Sequence, residues 1–82
     1  MKIQNAINKL NKAGFKVNQN GIWFTAQKEG CLYVVEFRRN GNSEDATGIS
    51  YRHDSDHSDS MRDYCASFFC DNLTRAIRGA LA

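Results

Sequence analysis

The chain has 82 residues, too few to bury two independent cores, so residues 1–82 are read as one domain. Its hydrophobic and charged fractions, 41% and 24%, are those of a globular protein, and a net charge of +2 marks neither a dedicated nucleic-acid binder nor an acidic DNA mimic. No apolar run is long enough to span a bilayer, no secretory leader pattern is visible, and Cys31, Cys65 and Cys70 are too few for a disulfide scaffold; a cytoplasmic protein with reduced thiols is expected.

Ile3, Ala6, Ile7 and Leu10 recur at helical spacing, with Lys2, Asn5, Asn8, Lys9 and Lys12 over the remaining circumference, which predicts a first helix. Gly14 suits the left-handed position past its end, with Phe15 folding back on the last turn. Phe15-Lys16-Val17 starts a strand. Asn18 to Gly21 reads as a turn, in which Asn20-Gly21 would take the positive φ angles of a type I′ hairpin. Beyond it, Ile22, Phe24 and Ala26 alternate with Trp23 and Thr25.

After a turn at Lys28-Glu29-Gly30, Cys31 to Arg39 is the longest strand candidate. Cys31, Tyr33, Val35 and Phe37 make its better core face, and Leu32, Val34, Glu36 and Arg38 the other. A polar loop from Asn40 to Asp45 leads to a weaker strand, Thr47 to His53, with Thr47, Ile49, Tyr51 and His53 on one face. Connections this short exclude parallel crossovers and imply an antiparallel meander.

Asp54 to Ser60 has no apolar surface to bury and is expected to be exposed. Met61, Tyr64, Cys65 and Phe68 recur at helical spacing, while the aromatics and cysteines of Tyr64 to Cys70 fit a buried extended segment equally well. Both readings stay open. Asp71 is the expected N-cap of a last helix that buries Leu73, Ala76, Ile77, Ala80 and Leu81 and turns Arg75 and Arg78 outward. The expected architecture is α+β: an N-terminal helix, an antiparallel sheet of three to four strands and a C-terminal helix, in the order α-β-β-β(-β)-α. Both helices are placed on one face of the sheet, leaving the other for solvent or a partner.

His53, His57, Cys65 and Cys70 follow an H-x3-H…C-x4-C spacing and are ligand types that zinc accepts, which makes a zinc-stabilised domain one alternative. A solvated loop beside two buried thiols is the favoured reading, with no metal and no cofactor. Asp54, Asp56 and Asp59 lack the glycine and distal glutamate of an EF-hand loop, and read better as negative charge facing a basic partner. Cysteine and histidine are both present, but there is no phosphate-binding loop or nucleophile elbow, so the chain is expected not to be an enzyme.

Lys9, Lys12, Arg38, Arg39, Arg75 and Arg78 would carry nucleic-acid binding, the other alternative. The α-β-β-β-α order resembles a double-stranded RNA-binding domain. Asp71-Asn72-Leu73-Thr74-Arg75, however, opens the final helix with an acid where that family has a lysine cluster.

Ser58-Asp59-Ser60-Met61-Arg62-Asp63-Tyr64 and Phe68-Phe69-Cys70-Asp71-Asn72-Leu73 resemble the C-terminal half of small proteins carried by phages and other mobile elements. In those proteins a polar, Asp-rich loop and an Asp-Tyr pair precede an aromatic stretch and a short final helix. The resemblance implies an accessory factor or inhibitor of bacterial defence, anti-CRISPR proteins included, and carries no active site with it. The expected function is therefore that of a non-enzymatic binding protein, monomer or homodimer, away from membranes, occupying a surface of a host protein or ribonucleoprotein complex. Trp23, Tyr51, Arg52 and Tyr64 are its candidate anchors, with Asp54, Asp56 and Asp59 offered toward a basic groove.

Overall fold

The computed structural model describes residues 1–53 and 68–81. The apolar stripe of the first segment becomes α1 (Ile3–Lys12), which buries Ile3, Ala6 and Leu10. Gly14, at φ +94°, donates to the Asn11 carbonyl, and Phe15 donates to Leu10. Those two bonds define a Schellman stop, sealed by the buried Phe15 ring as expected. At the other end no side chain among the described residues caps the helix. The Ile3 amide instead donates to the Glu44 carbonyl (2.7 Å) and Ala46 donates to Met1 (2.8 Å), around a Lys2–Asp45 bridge. This clamp fixes where α1 starts relative to the sheet.

The sheet is an antiparallel meander in the order β1-β2-β3-β4-β5, with β1 (Lys16–Asn20), β2 (Trp23–Gln27), β3 (Tyr33–Arg39), β4 (Ala46–His53) and β5 (Phe68–Phe69). Four longer strands match the expected sheet. The two-residue β5, paired with Ser50 and Tyr51, makes Phe68–Phe69 extended, and most of the rest of the ambiguous stretch lies outside the described residues.

The first hairpin differs from expectation. Asn20 pairs with Trp23, so the strand continues through the predicted turn and the two loop residues are Gly21 and Ile22. Gly21 has φ +64° and, among the described residues, no non-glycine residue has positive φ, which places glycine first, as in a type II′ turn rather than I′. Ile22 consequently sits in the turn, exposed, and not with Phe24 and Ala26 in the core.

β4 carries a second departure. Glu36 pairs with Ser50 and Arg38 with Thr47, so β4 has one extra residue there. Gly48 lies in this bulge at φ +61°, a backbone conformation that glycine adopts without strain. The bulge reverses the alternation, and Ala46 rather than Thr47 joins Ile49 and Tyr51 against the core.

One core lies between the helices and one sheet face. Phe24 and Phe37 stack across β2 and β3 (centroids 4.9 Å apart, planes 4° from parallel), beneath Leu10 of α1 and Leu73, Ala76 and Ala80 of α2 (Leu73–Leu81). Both helices therefore cover the same face, as expected. Asn72, not Asp71, caps α2: its Oδ1 accepts the Arg75 amide at 3.0 Å, and Asp71 only pairs with the exposed Arg75 guanidinium at 3.4 Å. Leu81 is exposed rather than buried.

α2 approaches the sheet through its small residues Ala76, Gly79 and Ala80. A Cβ at Gly79 would overlap Cε1 and Cζ of Tyr51 and come within 2.9 Å of its Cδ1. Glycine to alanine inside a helix normally stabilises, by about 1 kcal/mol. Here overpacking, about 1–3 kcal/mol, opposes and exceeds that gain. Gly79→Ala is expected to lower the melting temperature by several degrees, about 4–8 °C per net kcal/mol lost. Adding Tyr51→Ala should make the same glycine substitution neutral or stabilising, a coupling that thermal melts of the single and double variants measure.

Candidate partner-binding surface

The second sheet face, away from the helices, was expected to be open. Its middle is not. Val34 (1% exposed), Glu36, Ser50 and Arg52 are buried there, on β3 and β4. Arg52 Nε donates to Glu36 Oε1 at 2.6 Å, and Nη2 lies 3.4 Å from Oε2. Arg52 Nη1 is buried without a hydrogen-bond partner among the described residues. Arg52, expected to be an exposed anchor, is thus half of a buried ion pair, because Val34 and Arg52 are cross-strand neighbours on the face that also holds Glu36.

Tyr51 is also displaced from the anchor set. It faces the core, half-buried, edge-on to Tyr33 (5.8 Å, 73°) and under the Gly79 backbone. His53 sits edge-on to the other side of that system, 5.3 Å from Tyr33. Cys70 packs against the core, where burial first, and then Asp71, pushes its thiol up while Arg75 opposes. His57 and Cys65 lie outside the described residues, as do Asp54, Asp56, Asp59 and Tyr64. Among the described residues no group of three or more His, Cys, Asp or Glu side chains is gathered.

Trp23, by contrast, is exposed (47%) and remains a candidate anchor. The register explains its position. Asn20, Trp23, Arg38 and Thr47 form one cross-strand row over β1 to β4, with the indole side next to Asn20 and Arg38. Successive strands are about 4.8 Å apart, so the row is roughly 14 Å wide. Arg38 is held at its end: its side chain passes over Gly48, 3.6 Å from where a Cβ would stand, and Nη1 reaches the Arg39 carbonyl at 3.4 Å. A bulky residue at 48 would evict it. The exposed Lys16 and Asn18 continue the surface along β1.

The six predicted nucleic-acid contacts do not share one surface. Arg38 belongs to the row just described, and Arg39 turns to the 40–45 loop, donating to the Ser43 carbonyl at 3.1 Å. Lys9 and Lys12 on α1, and Arg75 and Arg78 on α2, lie in the helix layer, where Lys9 Nζ donates to Thr74 Oγ1. Sequence reasoning missed the Glu36–Arg52 pair, the N-terminal clamp and the role of Gly48. An isolated glycine within a strand pattern was the available signal for that bulge. No protein-family model matches the chain, and no curated protein or solved structure is significantly similar to it.

Two expectations follow from the buried groups. Glu36→Ala leaves a buried guanidinium without its counter-charge, a loss of about 3–5 kcal/mol that should abolish or strongly weaken the urea transition. Replacing both partners, Glu36→Met with Arg52→Leu, should recover most of that stability, because it also removes the orphaned Nη1. Separately, in a Cys31→Ser/Cys65→Ser background, the alkylation rate of Cys70 should rise with a midpoint at higher pH than free cysteine, since its thiolate is disfavoured.

Proposed function

We propose that the protein is a binding module acting by occupancy, docking on a protein surface of a larger host complex through the Trp23–Arg38 row. The observation that carries this reading is an exposed tryptophan on a rigid strand, paired across the sheet with an arginine. Tryptophan and arginine dominate measured interface energetics because each combines large contact area with directional polar contact. A strand position also avoids the ordering cost that a loop-borne anchor incurs on binding. Asn20 and Thr47 at the ends of the row supply a polar rim, and the buried Glu36–Arg52 pair keeps the sheet beneath it stiff.

The finer reading names the class of host. The resemblance of residues 58–73 to proteins of phages and mobile elements supports a bacterial defence complex, a ribonucleoprotein effector included, as the occupied target. Small size and a rigid, single-sided anchor suit a steric inhibitor, which needs affinity and coverage but no turnover.

The test is affinity co-purification of the tagged protein from bacterial lysate, with and without nuclease, comparing the native chain with Trp23→Ala. The variant should keep its melting temperature, because Trp23 is outside the core, and should lose a nuclease-resistant protein partner by at least about 30-fold in affinity, the scale of a hot-spot truncation. Equal recovery by the folded variant would sink the assignment of the row. Recovery of nucleic acid alone, lost on nuclease treatment, would sink the protein-surface reading.

A further inference from the structure

We propose a second binding surface on the opposite side of the molecule: the outer face of the two helices takes the phosphate backbone of a nucleic-acid duplex. The charge distribution is the first argument. Residues 1–28 contain five lysines and no acid, and residues 72–82 contain two arginines and no acid. Both helices are therefore cationic wherever they are charged. The described residues together hold ten of the chain's eleven Lys and Arg but five of its nine Asp and Glu, so this body is far more basic than the net charge of +2 suggests.

Packing then brings these cations together. Lys9 on α1 donates to Thr74 on α2, which fixes a point where the outer sides of the helices meet. Lys12, Arg75 and Arg78 each lie within about one helical turn of that point, roughly 6 Å or less along the axis. Lys9, Lys12, Arg75 and Arg78 are all exposed. The acid beside them is Asp71, which meets Arg75 at 3.4 Å with both side chains largely in solvent and so offsets little of the field.

The chemistry selects the occupant. Four convergent cations, with no opposing acidic cluster among the described residues, suit a polyanion of regularly spaced charges, and each phosphate neutralised releases condensed counterions. Unpaired bases need exposed aromatic platforms. Among the described residues the helix face has none: Phe15 is buried, Tyr51 lies under Gly79, and Trp23 is on the other side of the sheet. A duplex, whose bases are already stacked and whose phosphates are outermost, matches a surface that offers cations and no rings. Contact through phosphates is blind to base sequence and to the sugar, so DNA and RNA duplexes are equivalent ligands.

Fluorescence anisotropy with a short labelled DNA duplex, the RNA duplex of the same sequence and the corresponding single strand tests this. For the native chain, both duplexes should bind alike and better than the single strand. The log–log salt slope should be about −3 to −4 for four phosphate contacts, equivalent to about a 100-fold loss between 50 and 200 mM salt. Lys12→Gln/Arg78→Gln, at two exposed positions, should reduce the slope by about 2. Lys2→Gln/Lys28→Gln removes the same net charge elsewhere, at positions that belong to neither surface, and should leave the slope unchanged. A preference for single strands, an unchanged slope in the first variant, or an equal reduction in the second would overturn the proposal. The native-chain arms need no variant to fold, and none of the arms reads the Trp23 row, so the two surfaces stand or fall separately.

Discussion

Two buried charges organise this small sheet. Glu36 and Arg52 lie on adjacent strands, offset by two residues, on the face that the helices do not cover. Taking both out of water is costly, and the pair is stable only with each charge against the other. A slip of one residue between β3 and β4 would turn one of them into the layer occupied by Phe24, Phe37 and Val35. The pair therefore penalises every wrong register more heavily than apolar packing would. The right register, in turn, sets Tyr51 under α2 and places Thr47 beside Arg38.

The same strand pair also accommodates an extra residue. Without the bulge at Gly48, the alternation that buries Ile49 and Tyr51 would bury Thr47 and expose Ala46. With it, Ala46 closes the core near the N-terminal clamp and Thr47 joins the Arg38 row. The outer edge, β1, is handled differently. Its sequence Lys16-Val17-Asn18-Gln19-Asn20 is polar and mostly exposed, which discourages addition of another strand despite its unpaired backbone groups.

The elements with strong local signals were legible in the sequence. The apolar stripe of α1, its glycine stop and the alternation of β3 depend on near neighbours, and each appears where the pattern puts it, except that β3 begins at Tyr33 and leaves Cys31 and Leu32 outside the strand. The helices share one sheet face because each has a single apolar side. What failed depended on distant partners. Tyr51 and Arg52 look like exposed anchors in a polar-flanked strand until the register sets one beneath Gly79 and the other on Glu36. Asp71 and Asn72 are equally good caps by type, and the backbone path alone decides between them. Of the candidate site, Trp23 was legible because its neighbours Phe24 and Ala26 claim the core face. Its partnership with Arg38 was not, since it is a pairing across fifteen residues of chain.

The meeting of Gly79 with the Tyr51 ring bears on how this sequence can diversify. Position 79 has no room for a side chain while an aromatic ring stands at 51, and a smaller residue at 51 leaves a void under a glycine. The two positions form one packing unit, aromatic with glycine or small with alanine, so a change at either costs least when the other follows. The coupling joins α2 to β4 across twenty-eight residues of chain, so the freedom to vary one element is set by the other.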